Sequence, residues 1–72
     1  MHANMELYRM FYAVAKEGSF SAAARQLFVS QSAVSQGVGT LEKQLGVKLF
    51  ARKPRGVQLT AEGQVLHAYV DT

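Results

Sequence analysis

The 72-residue sequence contains no cysteine, no tryptophan and only one proline. Without cysteine there is no disulfide bond, no thiolate nucleophile and no cysteine-ligated zinc site, which favours an intracellular protein. No apolar run approaches the roughly 20 residues that cross a bilayer. The opening MHANMELYRM lacks the basic and apolar regions of a secretory signal. These absences predict a cytoplasmic protein without a membrane segment.

Acidic residues are few and unevenly distributed, although the formal net charge is only +3. No aspartate or glutamate lies between Glu42 and Glu62. The cations in that interval are Lys43, Lys48, Arg52, Lys53 and Arg55. Concentrated positive charge favours a polyanionic partner such as nucleic acid, because each phosphate contact releases condensed counterions. The alternative at this point is an ordinary solvated loop.

Residues for catalysis or metal binding do not form recognisable sets. The two histidines, His2 and His67, do not have the spacing of metal ligands. Glu62 and Asp71 have no evident partner for acid-base chemistry, and the GxxxxGK(S/T) phosphate-binding loop is absent. We therefore expect a protein that is not an enzyme and that holds neither a metal ion nor a cofactor.

The residues that are present predict one small domain that begins with two helices. Hydrophobic residues make up 49% of the chain, a globular composition. Leu7, Phe11 and Val14 recur at helical spacing in MELYRMFYAVAKEG, and Gly18 is expected to end this first helix. In the following SFSAAARQLF, Ser21 is expected to cap a short second helix.

The segment VSQSAVSQGVGTLEKQLG predicts a third helix, capped by Ser30 and ended by Gly46. The residues expected to face the core are Val34, Val38, Leu41 and Leu45. The opposite face carries Ser32, Ser35, Gln36, Gly39 and Lys43, with Gln31 at its edge. Two helices joined by a tight turn, the second with a polar face, are typical of a helix-turn-helix.

The remaining segment predicts a hairpin and a last helix. In KLFARKPRGVQLT, residues 49–52 and 57–59 are the expected strands on either side of turn-forming dipeptides. Thr60 is expected to cap the helix AEGQVLHAYV, whose apolar surface exceeds what a small domain obviously buries. The predicted fold class is mainly α: a winged helix-turn-helix with three helices, a two-stranded wing and the start of a further helix.

The motifs SFSAAA, VSQSAVS, LEKQLGVKLFAR and LTAEG follow one another along the chain. In this order and spacing they resemble the DNA-binding domain of LysR-type transcriptional regulators, from Met5 to about Tyr69. The resemblance implies a winged DNA-binding domain over residues 1–60 and the start of a linker and dimerisation helix over 61–72. It also implies that the chain is the N-terminal part of a longer, nucleoid-associated bacterial regulator, without that regulator's effector domain.

By the same resemblance, the third helix, about residues 31–45, enters the major groove of duplex DNA. Ser32 stands where many family members have proline, and Gln36 where many have arginine. Glutamine can pair with the N6 and N7 edge of adenine, whereas serine is short and adaptable. The residues expected to contact base edges are Gln31, Ser32, Ser35 and Gln36. The alternative for them is an ordinary solvent-facing polar surface.

Other polar residues are expected to contact the DNA backbone or the minor groove: Ser19, Ser21, Ser30, Lys43, Arg52, Lys53 and Arg55. Helix capping explains the serines equally well, and hairpin solubility is the alternative for the wing cations over 52–56. The resemblance further implies a homodimer or higher oligomer on an interrupted inverted repeat, paired through Val65, Leu66, Tyr69 and Val70. The other function class left open is a winged-helix domain for protein association.

Overall fold

Four helices and one hairpin make up residues 4–71, the part of the chain that the computed structural model describes. The elements are α1 Asn4–Glu17, α2 Phe20–Leu27, α3 Gln31–Leu45, β1 Phe50–Lys53, β2 Gly56–Leu59 and α4 Ala61–Asp71. The predicted winged helix-turn-helix is confirmed, with the two strands paired in one antiparallel sheet. Residues 1–3, which include His2, and residue 72 lie outside the described residues, so the ends of the predicted domain ranges do too.

Serine hydroxyls set the starts of α2 and α3. The Ser19 hydroxyl accepts the Ala22 N–H at 3.1 Å, and the Ser30 hydroxyl accepts the Ala33 N–H at 3.0 Å. Each bond satisfies an amide that has no partner inside the helix. The Ser30 cap is confirmed. The expected Ser21 cap is wrong because α2 begins before that residue; the Ser21 hydroxyl instead lies 3.0 Å from the Ser19 hydroxyl.

A left-handed residue closes the turn between α2 and α3. Phe28 has φ 60° and ψ 42°, a left-handed conformation that residues other than glycine rarely adopt. Its N–H donates to the carbonyl groups of Ala24 and Arg25 and so ends α2. The Val29 N–H also donates to the Ala24 carbonyl, at 3.1 Å. These bonds keep the connection to three residues and hold the start of α3 beside the end of α2.

The apolar faces of the helices meet in a core of two adjoining clusters. One contains Phe11, Leu41 and Leu49, each at most 1% exposed. The other contains Ala13, Val14, Phe20, Ala23, Ala24, Val34 and Val38. The predicted core residues of α3 are confirmed except Leu45, which is 42% exposed because it lies in the last turn of the helix, beyond the core. Burial of one α3 face fixes its rotation and turns the polar face outward.

The hairpin differs from the expected strands by one residue at each arm. The expected strands were 49–52 and 57–59, and the observed strands are Phe50–Lys53 and Gly56–Leu59. The first strand is shifted by one residue, and the second begins one residue earlier. Leu49 is 1% exposed and donates its N–H to the Glu42 carboxylate at 2.8 Å. This residue therefore belongs to the core rather than to the β ladder, and it joins α3 to the wing.

The start of α4 packs tightly against Leu49 and Leu59, which form the base of the wing. The Thr60 hydroxyl accepts the Gly63 N–H at 3.0 Å, which confirms the predicted cap. Gly63 is buried, and a Cβ there would overlap the Leu49 carbonyl oxygen and lie 2.9 Å from a Leu59 methyl carbon. A backbone oxygen cannot move aside as the end of a flexible side chain can. Only glycine therefore fits here without a shift of α4.

We expect Gly63→Ala to lower the free energy of unfolding by about 1 to 3 kcal/mol, the usual cost of overpacking. Gly39→Ala is the matched control, because a Cβ there would meet no atom within 4 Å. It should raise the free energy of unfolding by about 0.4 to 1 kcal/mol, since alanine restricts the unfolded chain. Urea unfolding followed by circular dichroism measures both changes. A Gly63→Ala domain as stable as the Gly39→Ala domain would contradict the close packing.

Candidate nucleic-acid interface

The predicted polar face of α3 lies away from the core. Its exposed residues are Gln31, Ser32, Ser35, Gln36 and Lys43, and Gly39 between them is half-buried. The side chains of Gln31 and Gln36 are long and end in amide groups. Because serine is short and glycine has no side chain, the rest of this face lies close to the helix backbone. The open space above Gly39 would let another molecule approach the helix backbone closely.

A concavity of about 200 Å³ joins three segments that are separate in the sequence. It is lined by Ser19, Phe20, Ser21, Gln31, Arg52, Lys53, Gly56 and Val57. The start of α2 contributes hydroxyl groups, the start of α3 contributes an amide, and the wing contributes two cations. The fold therefore brings Gln31, predicted to contact a base edge, together with four residues predicted to contact the DNA backbone: Ser19, Ser21, Arg52 and Lys53.

Arg52 is held over the start of α2 by an aromatic ring. Its guanidinium carbon lies 4.6 Å from the centroid of the Phe20 ring, within the range of a cation–π contact. Phe20 is itself 7% exposed and fixed in the core. Arg52 was predicted from the sequence as a cation of the wing, but its contact with the Phe20 ring was not. No spacing rule could have found the pair, because the two residues lie on different elements.

A second concavity, of about 770 Å³, follows the C-terminal half of α3. It is lined by Gln36, Gly39, Thr40, Glu42, Lys43, Gly46, Val47 and Lys48. Lys48 was not assigned a contact from the sequence, yet it lies beside the predicted contact residue Lys43. Its ammonium group is 3.8 Å from the Glu42 carboxylate, and its side chain is 82% exposed. Such a pair is weak in water, so Lys48 remains available to an anion.

Two residues predicted to contact the DNA backbone or the minor groove, Arg55 and Ser30, lie outside both concavities. Arg55 is exposed in the turn of the wing, next to the concavity that contains Lys53. Ser30 is exposed, but its hydroxyl already accepts the Ala33 N–H as the cap of α3. Capping thus accounts for Ser30 in the domain by itself, and a contact with DNA stays a prediction for both residues.

The four apolar residues predicted for dimerisation separate into two groups on α4. Val65 and Tyr69 are exposed, at 72% and 81%. Leu66 is half-buried and packs on the cluster that contains Phe11, whereas Val70 is half-buried in a groove lined by α1, α2 and α4. The expected excess of apolar surface is therefore found at Val65 and Tyr69, and Leu66 contributes to the fold of the domain itself.

Within residues 4–71, no group of three or more His, Asp or Glu side chains could hold a metal ion. His67 instead stacks on Tyr12, with ring centroids 5.1 Å apart and planes 5° from parallel. This contact attaches α4 to α1. No helix in the same stretch is long and apolar enough to span a membrane.

Comparison with known proteins identifies the family. The protein-family model described as "Bacterial regulatory helix-turn-helix protein, lysR family" matches residues 5–64. The chain belongs to the LysR family. It is 44% identical over 71 residues to the HTH-type transcriptional regulator BlaA of Proteus vulgaris, which covers 99% of this chain and 24% of that protein. It is 57% identical over 58 residues to the carbapenem-hydrolyzing beta-lactamase transcriptional activator of Enterobacter cloacae, covering 81% and 20%.

The fold of this LysR-family chain is also found in a solved complex. The crystal structure of the CbnR DNA-binding domain with DNA superimposes with a TM-score of 0.87 at 38% sequence identity. The match covers 92% of this chain and 76% of that chain. The chain spans about a quarter or less of the length of the two regulators named above. The resemblance seen in the sequence motifs is thereby confirmed for family and fold.

Proposed function

We propose that this LysR-family chain binds duplex DNA sequence-specifically, as the DNA-binding module of a bacterial transcription regulator. The observation that carries the proposal is the continuous surface formed by the polar face of α3, the start of α2 and the cationic wing. The CbnR DNA-binding domain, which shares the fold, is in complex with DNA in its crystal structure. This similarity supports DNA, rather than a protein, as the partner of that surface.

In the proposed complex α3 lies in the major groove and reads base edges. The amide groups of Gln31 and Gln36 each offer a donor and an acceptor, which matches the N6 and N7 edge of adenine. The two glutamines are separated by about 7.5 Å along the helix axis, at 1.5 Å per residue. They therefore reach different base pairs. Ser32 and Ser35 add short hydroxyl contacts, and Gly39 lets the helix approach without a clash.

The backbone contacts come from the elements on either side of α3. Ser19 and Ser21 stand at the start of α2, where unpaired N–H groups favour a phosphate oxygen. Arg52, Lys53 and Arg55 extend along the wing toward the backbone or the minor groove, and Lys43 lies at the other end of α3. These contacts carry no base information directly, but they fix the position of α3 on the duplex.

The proposal extends to the complete regulator. Residues 1–60 form the DNA-binding part, and residues 61–72 begin a linker helix that pairs with a second subunit, with Val65 and Tyr69 as its outward apolar residues. Two-fold symmetry then places two recognition helices on an interrupted inverted repeat. Such a regulator acts at the nucleoid in the bacterial cytoplasm, and it has no catalytic activity of its own.

Replacement of Arg55 tests the proposed function directly. Binding of the wild-type chain to a labelled duplex, followed by fluorescence anisotropy, should weaken linearly on a log scale as salt increases. Arg55→Ala should make that slope shallower by about one, with similar losses for preferred and random duplexes, as for one lost phosphate contact. Lys16→Ala removes an equal charge on the α1 side that faces α4 and should leave the slope unchanged. Equal slopes for all three proteins would show that Arg55 makes no phosphate contact, and failure of the wild-type chain to bind any duplex would contradict the proposal.

A further inference from the structure

Glu42 is the one acidic residue of α3, and it lies in the concavity that also contains Lys43 and Lys48. A carboxylate on a helix that approaches DNA phosphates is electrostatically unfavourable. Its side chain is, however, only 15% exposed. One carboxylate oxygen accepts the N–H of Leu49 at 2.8 Å and the N–H of Phe50 at 3.4 Å. Hydrogen bonds to a charged acceptor are among the stronger ones in proteins.

The same peptide segment is held from its other side by the start of α4. The Thr60 N–H donates to the Leu49 carbonyl at 3.0 Å, and the Thr60 hydroxyl donates to the Lys48 carbonyl at 2.6 Å. Phe50 is the first residue of β1, so the segment is the entry to the wing. Residues 48–50 are therefore bonded to the recognition helix on one side and to α4 on the other.

We propose that Glu42 is a positioning residue that fixes the wing relative to α3, so that both can contact one DNA site. This inference rests on the proposed DNA binding. A two-stranded hairpin has little stability by itself, and residues 51–53 of β1 are exposed. The wing is therefore held by contacts with the rest of the domain. The Val57 N–H donates to the Gly18 carbonyl at 3.2 Å, Arg52 lies over the Phe20 ring, and residues 48–50 are bonded at the base of the wing. Glu42 supplies a contact that comes directly from the helix that reads the bases.

Two substitutions with the same change of charge separate this role from electrostatics. Glu42→Gln removes the negative charge but keeps an oxygen that can accept the Leu49 N–H. Glu42→Ala removes the charge and the acceptor together. Both variants relieve the repulsion between the carboxylate and the phosphates equally, so any difference between them reports the hydrogen bonds. Val14→Ala serves as a control for lost stability, because Val14 is fully buried but belongs to the core cluster that does not contain Leu49.

The first measurement is amide hydrogen exchange in the 72-residue chain without DNA. We expect the Leu49 and Phe50 amides to exchange at least about tenfold faster in Glu42→Ala than in Glu42→Gln, because a buried donor loses its partner. The second is the salt dependence of binding to a duplex. The slope should be shallower by one or more in Glu42→Ala, as for wing cations that no longer reach phosphates, and unchanged in Glu42→Gln and Val14→Ala.

The outcomes are distinguishable. Equal exchange rates and equal salt slopes in the alanine and glutamine variants would overturn the positioning role while leaving DNA binding intact. A shallower slope in Val14→Ala would also overturn it, because lost stability would then explain the effect. Failure of the wild-type chain to bind any duplex would instead overturn the proposed function on which the inference rests.

Discussion

Replacement of Phe11 with alanine should unfold a large share of the domain under conditions in which the wild type is folded. Phe11 is fully buried and its ring lies 5.4 Å from the Phe50 ring and 6.4 Å from the His67 ring, measured between centroids. It therefore joins α1 to the wing and to α4. Truncation of a buried phenylalanine costs about 3 to 5 kcal/mol, and small domains have only about 5 kcal/mol or slightly more to lose.

Thermal unfolding followed by circular dichroism measures this effect. We expect the Tm of Phe11→Ala to fall by more than about 10 °C, given the few degrees lost per kcal/mol in a domain of this size. Phe28→Ala is the matched control, because it removes the same atoms from a side chain that is 93% exposed. Its Tm should stay close to that of the wild type. Similar losses in both variants would show that the core does not depend on Phe11.

The second large effect is expected at the glutamines of α3. Loss of a good bidentate contact costs about 1 to 3 kcal/mol of discrimination between bases. Gln31→Ala and Gln36→Ala should each relax the preference at a different base pair, because the two side chains lie more than one turn apart on the helix. Binding to random duplexes should change little, since the wing and α2 still supply the backbone contacts.

Competition binding against single-base variants of a preferred duplex measures this change. The control is Gln44→Ala, which removes an exposed glutamine near the end of the same helix, outside both concavities. It should leave the preference at every base pair unaltered. If Gln31→Ala and Gln36→Ala keep the wild-type preference throughout, the assignment of these residues to base edges is wrong.

Much of the fold could be predicted because local rules agree with tertiary packing. The helical spacing of apolar residues predicted α1 and α3, and capping residues predicted α2 and α4. Ser30, Gly46 and Thr60 mark helix ends by capping chemistry alone. The errors occur where two candidates satisfy the same local rule. Both Ser19 and Ser21 can cap a helix, and only the packing of α2 selects Ser19.

Features that depend on a distant partner could not be predicted from the sequence. Helical periodicity places Gly39 on the polar face of α3 and Gly37 to its side, but it does not identify the Met10 sulfur that a Cβ at Gly37 would overlap; Gly39 is open. Phe28 occupies a left-handed position that sequence rules assign to glycine or asparagine. The support of Arg52 by the Phe20 ring likewise exists only in three dimensions.

The candidate site was predictable to the extent that it lies on one helix. Periodicity placed Ser32, Ser35 and Gln36 on one exposed face of α3, as the structure shows. Glu42 contributes to the joining of α3 to the wing, although in the sequence it is one more charged residue of the third helix. Its bonds to Leu49 and Phe50 cross from a helix to a strand, and helical or strand periodicity carries no signal for such a contact.

The central claim is that the polar face of α3 selects a DNA sequence, and selection from a pool of random duplexes tests it most directly. The wild-type 72-residue chain is mixed with the pool, the bound fraction is amplified and rebound, and the recovered duplexes are sequenced. We predict enrichment of one short motif in which the base pairs facing Gln31 and Gln36 are the most constrained. Duplexes that bind but remain as diverse as the starting pool would contradict sequence-specific recognition.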